Sequence, residues 1–369
     1  MAAKLVLEDG SCFEGVSIGA EGTCTAEVIL NTGVVGYQEN LTDPANAGKI
    51  LVPTYPLIGN TGVAEKFSLS ARASCGAVVI KELSSVPSNF QSEGTLDGFL
   101  AERGMIGIAG VDTRAVAVTI RDKGEQVGIV STDDCGADEL LTRLREQKDS
   151  IRRDRISELS VSEPTKVSAG SGPSVAVVDL GVRADLTAQL TALDLDITLL
   201  PFNTPAETIL EGGYEAVVFT SGPEEDEAVA AVAQQAAKLL GKLPLLGAGV
   251  GHEVLALACG AKLTCLPVGH RGANYPAREP DNFNGEITVQ NHRYVVERDS
   301  LGDDPTVTLI NVNDETVEEI ASRRLRLLST QTVPAAAPGE IHHVFTRFAG
   351  MVRNQEDPTC RSAPTSTKS

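Results

Sequence analysis

The rhythm of hydrophobic and polar positions changes near the middle of this chain. Up to about residue 130 the apolar positions come in short runs: Leu5-Val6-Leu7, the segment starting at Phe13, Ala26–Leu30, Ile50–Val52 and Ala77–Ile80. Gly, Pro and Asn separate them, and Asp9-Gly10 between the first two is a hairpin signal, so this part reads as mostly β. The spacing predicts a helix over 95–103, where Leu96, Phe99 and Leu100 share one face, and another over 137–147 on Leu140, Leu141 and Leu144.

From Ser174 onward, runs of strand length alternate with amphipathic stretches. Val175–Leu180, Ile197–Phe202, Ala216–Thr220 and Leu243–Leu246 are the runs; helices are predicted over 183–193, 205–210 and 226–240. Continuous apolar runs separated by helices indicate βαβ units, with a mainly parallel sheet covered on both faces. The expected fold class is α/β, a β-rich N-terminal domain over 1–150 followed by a sheet-and-helix domain over 174–355. Between them, 151–173 is rich in small polar residues and Pro and reads as a linker. The polar residues 356–369 read as a frayed tail.

Length agrees with two domains, since 369 residues exceed one ordinary core. The charge balance excludes a function class: 50 acidic against 31 basic residues leave a net charge of -19, so nucleic acid is not an expected partner. The short basic patches 152–155 and 323–326 read as solvated faces. No apolar stretch reaches the ~18 to 20 residues needed to cross a bilayer, so a membrane is not expected either. The start turns acidic before a signal-peptide core could form, and the seven cysteines include no Cys-x-x-Cys pair. A reduced, cytoplasmic protein without metal or cofactor is the expectation.

Candidate chemistry centres on Pro244-Leu245-Leu246-Gly247-Ala248-Gly249-Val250-Gly251-His252-Glu253. A buried strand runs into a tight turn and then a helix, the frame of a nucleophile elbow, in which flanking glycines let the reactive side chain rise at the helix N-terminus. The central residue here is Gly249, which has no side chain. A Gly-rich phosphate loop is the rival reading, but the Lys-Ser/Thr of a P-loop is missing.

At this point the chain resembles the small, glutaminase subunit of carbamoyl-phosphate synthase over roughly 1–350. The N-terminal half carries Leu5-Val6-Leu7-Glu8-Asp9-Gly10, Asn31-Thr32-Gly33, Gly36-Tyr37-Gln38-Glu39, Leu41-Thr42-Asp43-Pro44, Thr54-Tyr55-Pro56-Leu57-Ile58-Gly59-Asn60, Ser88-Asn89-Phe90 and Val111-Asp112-Thr113-Arg114. The C-terminal half is similar to a class I glutamine amidotransferase domain through Val178-Asp179, Ser221-Gly222-Pro223, Leu255-Ala256-Leu257-Ala258 and Gln290-Asn291-His292.

The resemblance implies a Cys-His-Glu triad that hydrolyses glutamine. Its cysteine position falls on Gly249, its histidine on Val333 and its glutamate on Ala335, so no catalytic residue is expected. The family's glutamine-pocket positions, altered or retained, fall on Ala45, Gly222, Glu224, Val250, Glu253, Asn291, Arg293 and Tyr294. Glu224 replaces a glycine of the oxyanion loop and opposes the stabilisation of a developing negative charge. Glu253 stands for a glutamine, Arg293 for a glycine and Ala45 for a serine. The two new opposite charges, Glu253 and Arg293, suggest a pair that fills the pocket, with two unrelated solvated charges as the alternative.

Substitutes for the missing groups do not stand out. Cys259 lies two turns beyond the elbow, and Cys259 and Cys265 read as small buried hydrophobes. His342 and His343 have no carboxylate spaced to orient them and read as surface residues. His252 and His270 match family positions outside the triad, with packing or hydrogen-bonding roles. The resemblance implies a large synthase subunit as partner in a heteromer, ammonia as the small molecule passed on, and a place in carbamoyl phosphate synthesis for pyrimidines or arginine. The leading expectation is a degenerate glutaminase-like subunit supporting a large subunit that uses free ammonia. An orphan scaffold protein and a glutaminase with a relocated nucleophile are the alternatives.

Overall fold

The computed structural model describes residues 1–337, 339–355 and 357–361. The chain forms two compact units, 1–153 with 267–272, and 154–266 with 273 onward.

The first unit is a closed barrel of seven strands, β1 (Ala2–Leu7), β2 (Cys12–Gly19), β3 (Thr23–Asn31), β4 (Ile50–Pro53), β5 (Ala77–Val79), β6 (Ile106–Ala109) and β7 (Val127–Ser131), in the order β1-β2-β6-β5-β4-β3-β7. Pairing of β7 with β1 closes it, which leaves no free edge. Alternation places Leu5, Leu7, Val28, Ile50, Val52 and Val130 in one buried cluster, while Ile29, Leu51 and Val78 face another. Helix α1 (Leu96–Glu102) lays Leu96 and Leu100 on the second cluster, and α2 (Thr113–Lys123) adds Val116 and Ile120 to the first. Thr95 and Asp112 cap these helices by accepting the N–H groups of Gly98 and Ala115. Helix α3 (Ala137–Gln147) buries Leu140 and Leu144 against Val6 and Ile129. The predicted strands and both predicted helices are present; α2, β6 and β7 were not anticipated.

The second unit opens with a difference from the linker expectation. From residue 154 the stretch is folded: α4 (Ile156–Leu159) starts where the Ile156 N–H donates to Asp226 Oδ2 at 2.7 Å, and the Val161 N–H donates to Asp179 Oδ2 at 2.9 Å. β8 (Thr165–Lys166) then pairs antiparallel with β10 (Asp196–Pro201). Ile156 and Val161 also enter the two cores, but three isolated apolar positions among small polar residues make no periodic pattern, and backbone N–H groups on remote carboxylates do the rest.

The sheet continues with β9 (Ser174–Asp179), β11 (Ala216–Phe219), β12 (Leu245–Ala248), β13 (Leu263–Arg278), β14 (Gly285–Val296), β15 (Thr306–Asn311), β16 (Val317–Ser322) and β17 (Leu327–Thr330). Its order is β8-β10-β9-β11-β12-β17-β16-β15-β13-β14, and β10, β9, β11, β12 and β17 run parallel. Along β9, Ala176 and Val178 join one core, and Val175 and Val177 join the other, which is why the run is continuously apolar. The first core is closed by α6 (Ala206–Glu211), α7 (Ala228–Ala237) and α8 (Val250–Ala258). The second is closed by α5 (Ala184–Ala192) and by Phe345 and Phe348 of α9 (His343–Val352). The α/β expectation holds, with a mainly parallel central sheet.

Residues 357–361 of the expected tail are tied down: Arg347 Nη2 donates to the Pro358 carbonyl at 2.6 Å, and Arg361 Nη2 to Glu286 Oε1 at 2.6 Å. The rest of that tail, 356 and 362–369, lies outside the described residues.

Candidate functional site

Open parallel sheets bind ligands beyond the carboxyl ends of their strands. At that end of this sheet, β12 runs through Ala248 into Gly249 and directly into α8. Gly249 has φ 56° and ψ -120°, a backbone conformation costly for any residue with a Cβ. Its N–H donates to the Thr330 carbonyl of neighbouring β17 at 2.9 Å, and its own carbonyl accepts from the His252 N–H at 2.8 Å. Packing also demands the glycine two residues on: a Cβ on Gly251 would lie 2.1 Å from the Phe219 carbonyl oxygen. The elbow geometry is therefore in place with nothing at its apex.

Val333 and Ala335 follow the carboxyl end of β17. The Val333 N–H is engaged by the Val289 carbonyl at 2.8 Å, and Ala335 is exposed. Neither side chain carries a proton-transfer group.

The loop after β11 places Ser221, Gly222, Pro223 and Glu224 beside the elbow. Gly222 lies against Leu180, where a Cβ would come within 2.1 Å of the carbonyl oxygen. Glu224 is buried, and its two carboxylate oxygens accept the Arg293 N–H at 2.9 and 2.8 Å. Glu253, in the first turn of α8, is fully buried and accepts from Gln331 Nε2 at 3.1 Å. Burial, reinforced by Glu224, holds its carboxyl well above the usual carboxylate range. The expected Glu253–Arg293 pair is thus not what the structure forms. Glu253 meets Gln331 and Glu224, and the Arg293 guanidinium donates through Nε to the Leu266 carbonyl at 3.0 Å. Val250 is buried at the start of α8, and Asn291 and Tyr294 flank His292 and Arg293 on β14. Ala45 belongs to the first unit, in a turn where its N–H donates to Asp43 Oδ1 at 3.0 Å.

The alternative nucleophiles are not activated. Neither is the buried residue expected, Cys259 being half-buried and Cys265 exposed; partial burial still pushes the Cys259 thiol up to about 11 and raises that of Cys265, opposite to what a thiolate nucleophile needs. His252 is fully buried with Nδ1 against Ser329 Oγ at 2.9 Å, the hydrogen-bonding role expected of it.

His343 requires a correction, because a carboxylate does orient it: Nε2 lies 2.8 Å from Glu286 Oε2, and the His342 and His343 rings lie 4.3 Å apart, tilted by 34°. The partner comes from β14, 57 residues earlier, where sequence spacing could not reveal it. His342 in turn caps α9 by accepting the Val344 N–H at 3.4 Å.

The second unit is a class I glutamine amidotransferase-like domain: the family described as glutamine amidotransferase class-I matches residues 176–349. The family described as carbamoyl-phosphate synthase small chain, CPSase domain, matches residues 5–130. The carbamoyl phosphate synthase small chain of Listeria monocytogenes serotype 4b (strain F2365) is 40% identical over 356 residues, covering 96% of this chain and 97% of that one. The protein of the same name from Syntrophotalea carbinolica is 36% identical over 368 residues, covering 95% and 98%. The pyrimidine-specific small chain of Halalkalibacterium halodurans is 36% identical over 359 residues, covering 96% and 98%. This chain belongs to the carbamoyl-phosphate synthase small chain family.

Proposed function

We propose that this chain is a carbamoyl-phosphate synthase small subunit without glutaminase activity, which supports a large synthase subunit supplied with free ammonia. The observation that carries the reading is Gly249: the strained elbow is built, and its apex holds no atom that could attack an amide. Val333 and Ala335, at the family's histidine and glutamate positions, offer neither a base nor a carboxylate to orient one. Glu224 puts a negative charge where the family's oxyanion loop would stabilise one.

Retention of the barrel unit alongside the amidotransferase fold supports a role in a heteromer with the large subunit, since the relatives named small chain match across both units. The product is carbamoyl phosphate, and the pyrimidine-specific relative favours pyrimidine over arginine supply. A cytoplasmic setting fits a soluble biosynthetic subunit; among the described residues no helix is long and apolar enough to cross a membrane.

Two measurements test this reading. Purified protein incubated with glutamine should release no ammonia above the no-enzyme rate, and co-expression with the large subunit from the same cell should yield a stable complex. Glutamine-dependent release abolished by one Cys→Ala change would establish a relocated nucleophile instead. Failure to co-purify would favour the scaffold alternative.

A further inference from the structure

Two carboxyl side chains meet out of water beside the elbow. Glu253 is 0% exposed and Glu224 8%. Glu224 is fixed by the Arg293 N–H, which both its oxygens accept. Glu253 Oε1 accepts from Gln331, while Oε2 is buried and receives no hydrogen bond, although the Glu224 carboxyl lies within hydrogen-bond reach.

The surroundings decide the charge state. Glu225, on the same loop as Glu224, adds negative charge, and Arg293 anchors Glu224 through its backbone. Helix α7, packed against α8, has no charged residue in Ala228–Ala237. His252 is turned toward Ser329. Two ionised carboxylates in contact, in a medium of low dielectric, repel strongly enough that one takes up a proton. The proton belongs on Glu253, the deeper group, whose Oε2 then becomes a donor to Glu224, the group already stabilised as an anion by an N–H.

We propose that Glu224 is a built-in carboxylate occupant of the elbow's pocket, fastened between the Arg293 N–H and a proton on Glu253, so that the pocket excludes free carboxylate ligands such as amino acids. Glu224 is then the residue that sets what the pocket refuses. This rests on the reading above only in taking the space beside Gly249 as a ligand pocket.

The test uses the full chain and sodium acetate as probe. In Glu224→Ala, the Arg293 amide resonance should shift saturably as acetate is added; in the unaltered protein it should not move. An equal shift in both proteins overturns the proposal, as does a folded variant whose Arg293 amide ignores acetate. The second measurement needs no opened pocket. Infrared difference spectra of the unaltered protein at neutral pH should show the carbonyl stretch of a protonated carboxylic acid, lost in the near-isosteric Glu253→Gln. Absence of that band overturns the shared proton even if Glu224→Ala fails to fold. Ammonia release from glutamine would sink the non-hydrolytic reading while leaving the band in place, so the two failures are distinguishable.

Discussion

The imidazole of His252 and the hydroxyl of Ser329 meet at 2.9 Å in a part of the second unit where both residues are 0% exposed. Burial pushes the His252 ring down to about 4, so the folded protein holds it neutral. The unfolded chain takes up a proton near 6.5, so between 6.5 and 4 it binds more protons than the native state, and stability falls as pH drops. Burial and the adjacent His343 push His342 down to about 4 as well, so it adds to the slope in the same window. Each ring is expected to remove on the order of 3 kcal/mol by pH 4. Urea unfolding across this range checks it: His252→Gln should flatten the pH dependence by one proton, whatever its effect on stability at pH 7.

A separate acid transition is expected from Glu286. Burial opposes ionisation of its carboxyl, but His343 and Arg361 outweigh it and hold the group at about 2. A folded value below 4.5 means the contribution is complete above 4.5 and is lost as pH falls toward 2. Glu286→Gln should remove this second step and leave the His252 share of the histidine step unchanged, while His342, which Glu286 raises, shifts further down. Unfolding curves that retain a step below pH 4.5 in the variant would assign it elsewhere.

Gly249 defines a third expectation. Its φ of 56° is free of strain only while no Cβ is present, and a Cβ there would come within 3.1 Å of the Ser221 Cβ. Gly249→Ala should therefore destabilise the protein by about 1–3 kcal/mol. Gly249→Cys should carry a similar cost and still release no ammonia from glutamine, because Val333 and Ala335 supply no base. Denaturant midpoints of both variants, with an ammonia assay on the second, decide the point.

Legibility in the sequence followed the kind of interaction involved. Val175–Leu180 was readable as a buried strand because both of its faces meet apolar cores, and Leu96, Phe99 and Leu100 as a helix because one face does. The bare backbone of Gly249 at the turn from β12 into α8 was readable because a glycine is a letter. What carries no letter was missed. Beyond the core contacts of Ile156 and Val161, residues 154–173 are held by backbone N–H groups on Asp226 and Asp179, and Glu224 is held by the N–H of Arg293. Opposite charges on Glu253 and Arg293 suggested a pair, yet Glu253 lies on the buried face of its helix, where its neighbours are another carboxyl and an amide. His343 and Glu286 had no detectable relation until the fold joined β14 to the start of α9.

The last expectation concerns the ion pair that fastens α9 to the sheet. Arg347 Nη1 donates to both oxygens of Glu319 at 2.9 and 2.8 Å, Thr308 donates to the same carboxylate at 2.5 Å, and both charged residues are buried. Burial alone would raise the Glu319 carboxyl, but Arg347, Arg361 and the Thr308 hydroxyl together more than offset it, and the net shift is downward. Arg347→Met takes away the cation hydrogen-bonded to that buried carboxylate and should destabilise the protein by about 3–5 kcal/mol. It also removes the Nη2 bond to the Pro358 carbonyl, so residues 357–361 lose one of their anchors. Adding Glu319→Gln should recover most of the loss, since the double variant leaves no unpaired buried charge. Limited proteolysis separates the two effects: the C-terminal segment should be cut faster in both the single and double variants, while only the single variant shows the full fall in denaturant midpoint. A double variant as unstable as Arg347→Met would mean that the packing of the arginine stem, not the charge pair, holds α9 in place.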